Sequence, residues 1–344
     1  MTPQPGIDSE EQLEDLLSQP TEQDIESLRH LDGDVVILGV GGKMGPSLAV
    51  RAKRALQACS SKRRVFAVSR FSDPNKAAYL DAHGVDTVSA DLLSPEAYAE
   101  LPDAHYVIYM VARKFGTSHE ASITWATNAF VPGLAGYRYR QARIVTWSTG
   151  NVYPLSPAGS AGPDESAAVG PVGEYAQSAL ARERVFEYFA RTYHTPLAIL
   201  RLNYAVEFRY GVLVDIASRV LARMPVNVSM GSVNLVWQGH ANSVCLRSLG
   251  HADPDPFILN LTSADSYHVR AIAEQFGIHF GVEPIFEGSE GPLALLSNAA
   301  KCEAMFGASP VSLEAMIAGV ARWLRRGKPV WNKPTHFEVQ DGKF

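Results

Sequence analysis

The stretch DVVILGVGGKMGPSLAVRAKRAL, residues 34–56, decides how the rest of the chain is read. It opens with an unbroken apolar run, the pattern of a strand buried on both faces, and ends in apolar and basic residues at helical spacing. Between the two, Gly39, Gly42 and Gly45 recur at every third position. In that setting the first glycine permits a tight turn, the second lets a pyrophosphate approach the backbone, and the third lets helix and strand pack closely. The phosphates would sit on the helix N-terminus, with Lys43 and Met44 in the same turn. A role in shaping a loop is the alternative, and strand and helix in register weigh against it.

Outward from this unit the texture repeats. RVFAVSR (64–70), HYVIYMVA (105–112), ARIVTWS (142–148) and PLAILRLN (196–203) are short apolar runs separated by amphipathic segments. That alternation predicts an α/β, Rossmann-type doubly wound parallel sheet. Beyond residue 205 it loosens, and helical patterns at 211–224 and 268–281 predict a smaller C-terminal substrate lobe. The expected division is a helical extension at 1–33, with a short mobile start, and a dinucleotide-binding domain at 34–205 to which 232–250 returns as sheet and edge helix. A lobe from 206–231 and 251–328 comes next, and then a polar tail at 329–344 that wraps the surface or reaches a neighbouring subunit. In the extension, Ser9 with Gln12 and Thr21 with Asp24 have near capping-box spacing, and Leu13, Leu16 and Leu17 would face inward together.

Composition excludes several classes. The net charge of −5 with scattered Lys and Arg gives no field for a nucleic-acid backbone. Three separated cysteines, Cys59, Cys245 and Cys302, lack metal-ligand spacing and suit a reducing cytoplasm, so no metal is expected. An acidic N-terminus without signal-peptide regions, and no apolar run near 18 residues, predict a protein neither exported nor membrane-spanning.

The second strand ends in Ser69 and Arg70, where an NAD site usually carries an acid. A hydroxyl and a guanidinium suit the 2′-phosphate of NADP, so NADP is expected over NAD. Asp91 and Leu92, after the third strand, would meet the adenine edge; Asp91 could instead only cap the next helix.

The Gly39-x-x-Gly42-x-x-Gly45 turn, VIYMVARK (107–114), Asn128 in ATNAFVPG, STGNVYP (148–154), LAILRLNYAV (197–206) and the segment 295–324 together resemble the extended short-chain dehydrogenases/reductases, the family of nucleotide-sugar epimerases and dehydratases. The resemblance runs from about residue 34 to about residue 324. It implies that Val111, Ala112 and Lys114 line the nicotinamide side, with Asn128 near its ribose. It also implies that Thr149, with Ser148 adjacent, assists a catalytic Tyr175 in general acid/base chemistry.

The chain departs from the family beside that tyrosine. The lysine normally four residues after that tyrosine is Ala179. A tyrosine titrating near its ordinary value of about 10 is a poor base at neutral pH without a cation beside it. Lys114, arriving from the fourth strand, is the preferred substitute, and Arg182, roughly 10 Å along the helix, the lesser one. A catalytically silent cofactor sensor is the competing reading.

The family's diphosphate-binding arginines are also missing, from GSVNLVWQGHAN (231–242) and from FEGSEGPLALL (286–296), where Glu287 and Glu290 stand. The expected substrate is therefore a small carbohydrate-like alcohol or ketone (a sugar, sugar acid or lactone), with Asn151, Asn203, Trp237, Gln238 and His240 as candidate contacts. His240 is either a second acid/base or a structural group. The resemblance further implies a homodimer paired through residues 117–137 and 173–192.

Overall fold

The structure, a computed structural model, describes residues 6–117 and 119–342. The expected mobile start at 1–5, Ser118, and the last two tail residues lie outside the described residues. In chain order the helices are α1 (Glu10–Ser18), α2 (Glu22–Arg29), α3 (Gly45–Ala58), α4 (Pro74–Ala82), α5 (Ala121–Trp125), α6 (Val131–Arg138), α7 (Gly173–Tyr193), α8 (Val212–Leu221), α9 (Gln238–Ser248), α10 (Val269–Phe280), α11 (Ala300–Phe306) and α12 (Leu313–Arg325). Strands β1 (Val35–Leu38), β2 (Val65–Ser69), β3 (Asp86–Ser89), β4 (Tyr106–Tyr109), β5 (Arg143–Thr149), β6 (Leu197–Leu202) and β7 (Phe257–Leu261) form one parallel sheet in the order 7-6-5-4-1-2-3.

The strands read as continuous apolar runs because side chains alternate between two buried faces. Val35, Ile37, Val65 and Ala67 join one core with Leu48, Leu56 and Val244 from α3 and α9. Val36, Leu38, Phe66 and Val68 join the opposite core with Val131, Ala135, Phe186 and Ala190 from α6 and α7. The reversal of strand order between β1 and β4 opens a crevice at their carboxyl ends, the position where such sheets hold ligands.

A third core, around α8, α10 and α12, belongs to the smaller lobe. Leu13 and Leu17 of α1 are fully buried in it, with Leu16 partly buried beside them, so the extension bridges lobe and sheet. Thr21 and Asp24 form the complete reciprocal capping box; Ser9 caps α1 through Gln12 N, while the Gln12 side chain goes to Asp8 N instead. Asp24 also holds Arg51 of α3 in a buried ion pair at 2.6 Å, which ties the extension to the glycine-turn helix.

Two boundaries differ from the sequence reading. Residues 257–261, expected in the lobe, are the edge strand β7, because their apolar register matches β6 from Ala198 to Leu202. Residues 232–237 do not enter the sheet: Ser232–Val233 pairs with Tyr267–His268, and Val236–Trp237 with Ala205–Val206. Only α9 returns to the main domain, packed beside α2 and α3. Among the described residues, no helix is long and apolar enough to cross a membrane.

Candidate active site

The glycine turn leaves β1 at Gly39, whose φ of +85° is open to glycine and strained for other residues. A Cβ there would lie 2.8 Å from the Val111 nitrogen, and one on Gly45 would lie 2.1 Å from the Val40 carbonyl oxygen. Both glycines therefore permit backbone approach. Gly42 differs: a Cβ on it would meet only the Gly39 oxygen, at 3.7 Å, and otherwise project into open space. Helix α3 starts at Gly45 with Pro46 in its first turn, no side-chain cap and no acid there, so its N-terminal end is left for an anion. This cradle fits the pyrophosphate of a dinucleotide.

A cleft of about 310 Å³ runs from the turn along the ends of β2 and β3. Gly39, Gly42, Ser69, Arg70, Asp91, Leu92, Val111 and Ala112 all line it, as the sequence reading expects of them. Asp91 also accepts a hydrogen bond from Leu93 N, a local turn contact; it does not cap the next helix, which starts at Pro95 after Ser94. Gly41, Asp73 and Lys76 line the cleft too, and were not singled out from sequence. A Cβ on Gly41 would crowd the Ser69 hydroxyl, which would have to turn away, and Lys76 donates to the Gly41 carbonyl at 2.7 Å, bracing the turn from α4.

Deeper in, a pocket of about 150 Å³ gathers Thr149 from the end of β5, Tyr175 from the first turn of α7, and Lys43, Met44 and Lys114. Asn151, Asn203, Tyr204, Tyr210 and Thr335 add to its polar lining. Thr149 Oγ1 accepts from Asn151 through both backbone N (3.2 Å) and Nδ2 (3.0 Å), which fixes the hydroxyl at the pocket wall. Lys114 Nζ lies 6.0 Å from the Tyr175 ring centre and donates to the Thr335 carbonyl at 3.3 Å. Lys43 Nζ lies 4.3 Å from the Tyr210 ring centre and donates to the Ala205 carbonyl at 2.8 Å. Burial pulls the Lys43 ammonium down to about 7 and that of Lys114 to about 8.

The place of the absent lysine is filled. Ala179 is fully buried against Val152 and Tyr153. Arg182, the lesser substitute, turns to the Val111 carbonyl at 3.2 Å, below the end of β4. Lys43, by contrast, shares the pocket with Tyr175, although its place in the turn suggested only a cofactor contact.

Five expected site residues have other occupations. Ser148 lines the pocket but donates its hydroxyl to Glu183, part of a buried network with Arg201, Tyr153 and Asn260. Asn128 is fully buried, accepting from Arg113 N and donating to Arg113 O and Ser178 Oγ, so it clamps the loop after β4 to α7 rather than facing the cleft. Trp237 packs in the lobe core, 5.4 Å from the Phe208 ring centre. Gln238 bonds Ser47 of α3, and His240 is buried, its imidazole lowered to about 4 by desolvation and by the nearby Arg247 and Arg51. These last three start a helix buried on all sides, so their polar groups serve packing against α3 and its neighbours. The structural reading of His240 therefore holds.

An outer vestibule of about 1170 Å³ meets both cavities at Gly42, Lys43 and Lys114; acids of α1 line it together with Arg209, which pairs with Glu14 at 2.6 Å, and with Trp331 and Lys333. Among the described residues, no group of three or more His, Cys, Asp or Glu could hold a metal ion.

The family model described as NAD dependent epimerase/dehydratase family matches residues 35–239. No curated protein matches the chain. Among solved structures, Pal from Bacillus thuringiensis superposes with a TM-score of 0.71 at 17% identity, over 86% of this chain and 100% of that one. UDP-glucose 4-epimerase from Thermotoga maritima, solved with UDP-glucose, gives 0.69 at 16% identity, over 86% and 99%. UDP-glucuronic acid 4-epimerase from Bacillus cereus, in complex with NAD, gives 0.71 at 14% identity, over 85% and 99%. At these identities the likeness is one of fold.

Proposed function

The chain belongs to the NAD dependent epimerase/dehydratase family, and from that premise we propose that it is an oxidoreductase or epimerase preferring NADP, acting on a small carbohydrate-like alcohol or ketone rather than a nucleotide sugar. The observation that carries this reading is the inner pocket. Thr149, Tyr175 and two half-buried lysines converge there on only about 150 Å³.

Gly42 and the start of α3 would hold the pyrophosphate of a bound dinucleotide, and Ser69 and Arg70 its 2′-phosphate by charge-assisted contacts; the group would supply or accept hydride. Tyr175 gives a proton to the substrate oxygen on reduction and takes it back on oxidation, while Thr149 hydrogen-bonds the same oxygen. Lys114, beside the Tyr175 ring, supplies the positive charge that Ala179 lacks, and Lys43 adds to that field from the glycine turn. Asn151 and Asn203 offer amides to neighbouring hydroxyls.

The named neighbour solved with UDP-glucose supports a nucleotide-sugar substrate instead. Against it stand the small pocket and Glu290 near a place where the family resemblance implies an arginine; here Glu290 pairs with Arg270 at 3.0 Å. A catalytically silent sensor is the second reading, favoured by the apolar packing of Ala179. Exposed Phe130, Tyr137 and Tyr188, around α6 and on α7, support pairing of two copies through these helices. Free Cys59, Cys245 and Cys302 suit a reducing cytoplasm.

The test is a panel of sugars, sugar acids, lactones and UDP-sugars followed by nicotinamide absorbance and by product analysis for epimers, with wild type and Tyr175→Phe. Turnover of a small substrate, reduced at least about 100-fold by Tyr175→Phe with cofactor affinity kept, is expected. Cofactor binding without turnover of any substrate would establish the sensor, and turnover confined to UDP-sugars would overturn the substrate class.

A further inference from the structure

The C-terminal segment does not simply cover the surface. Pro329 O accepts from the Trp323 indole, Trp331 N donates to Arg209 O, and Phe337 is buried in the lobe core. Gln340 then reaches Ser229 O, and Gly342 packs so tightly on Gly173, the first residue of α7, that a Cβ on Gly173 would lie 2.3 Å from its oxygen. The segment is thus strapped from the lobe to the helix that presents Tyr175. Midway, Thr335 is held at both donors by Asp215: its backbone N lies 2.7 Å and its hydroxyl 2.6 Å from the same carboxylate oxygen. Its carbonyl accepts from Lys114.

We propose that Thr335 is a specificity-determining residue: it forms the outer wall of the substrate pocket and limits the substrate to about the size of one short polyhydroxylated chain. This deepens the proposed function and rests on it. Thr335 lines the inner pocket, whereas its neighbours Asn332, Lys333, Pro334, Phe337 and Glu338 line a separate cavity of about 320 Å³ on the other side. Tyr210 faces both spaces, so the strap is the partition between them. Because the Thr335 donors go to Asp215, the wall offers the substrate acceptor lone pairs, and Lys114 beside it offers a donor. Hydroxyl and carboxylate groups match that pair. Asp215 is a positioning residue, acting through the strap.

The experiment compares full-length wild type with Thr335→Ala, Thr335→Ser and Asp215→Asn, each checked for native thermal unfolding. It uses two probes of one chemistry and different length, erythronate and gluconate. The expected result is a shift of at least about tenfold in the ratio of kcat/KM toward gluconate in Thr335→Ala and Asp215→Asn. Thr335→Ser, which keeps the hydroxyl for Asp215, restores the wild-type ratio. A ratio unchanged within about threefold, with both probes losing kcat/KM in parallel, overturns the proposal. If wild type turns over neither acid, the proposed function loses its sugar-acid substrates, and the wall is decided by equilibrium binding of the same probes to the NADPH complex. Tighter gluconate binding in Thr335→Ala supports it, and equal binding in all four proteins refutes it.

Discussion

Replacing Gly42 with alanine separates the cofactor's demands on the turn from those of the fold. Gly42 does not have positive φ, and an added Cβ would meet only the Gly39 oxygen, at 3.7 Å. The folded protein should therefore accept the methyl, and the stiffer unfolded chain should leave stability unchanged or higher by about 0.4–1 kcal/mol. The same methyl stands in the cleft where a phosphate oxygen must approach the backbone. Losing one charge-assisted hydrogen bond costs about 1.5–3 kcal/mol, which is roughly a 10- to 150-fold rise in cofactor Kd at 1.4 kcal/mol per tenfold. Gly45→Ala is the control in the other direction, because its Cβ would lie 2.1 Å from Val40 O and must force helix and strand apart. Thermal unfolding and NADPH fluorescence titration on both variants give the answer. Gly42→Ala with wild-type stability and wild-type affinity would refute the role given to the turn; so would destabilisation equal to that of Gly45→Ala.

Ala179→Lys should not restore a family-like enzyme: the lysine enters apolar packing against Val152 and Tyr153, and overpacking of about 1–3 kcal/mol, with a buried charge added, should lower Tm by several degrees without raising turnover. Arg70→Ala should raise the Kd for NADP about tenfold or more while leaving that for NAD within about threefold, read by parallel fluorescence titrations. Cofactor binding should weaken as pH rises. Lys43, in the glycine turn and pulled down by burial to about 7, loses its ammonium charge through that range, and a bound phosphate raises it again. Binding should therefore take up protons between about pH 7 and pH 8, visible as a dependence of calorimetric enthalpy on buffer ionisation; no uptake would place the phosphates away from Lys43.

The sheet was legible because its strands are buried on both faces and so carry an unbroken apolar signal, with turn residues marking each end. β7 was not, since Phe257–Leu261 follows α9, more than 50 residues after β6, and its parallel pairing with β6 is a long-range choice that no local pattern records. The cleft was legible where chemistry tracks chain position, as at Gly42, Ser69 and Arg70 on the ends of consecutive strands. Trp237, Gln238 and His240 misled because polar residues opening a helix look alike whether they face a ligand or, as here, a packed helix neighbour. Thr335 left no sequence signal: it reaches the pocket from 160 residues beyond Tyr175, by way of Asp215 on α8.

The central claim is that the glycine turn orients a dinucleotide so that its nicotinamide faces the Thr149 and Tyr175 hydroxyls. A crystal structure of the wild-type protein with NADPH tests it most directly. The pyrophosphate should lie over Gly42 at the start of α3, the 2′-phosphate against Arg70, and the nicotinamide ring at the mouth of the inner pocket, facing Tyr175, with Lys43 and Lys114 near its ribose. A nicotinamide directed out into the vestibule, away from Tyr175, would contradict the account.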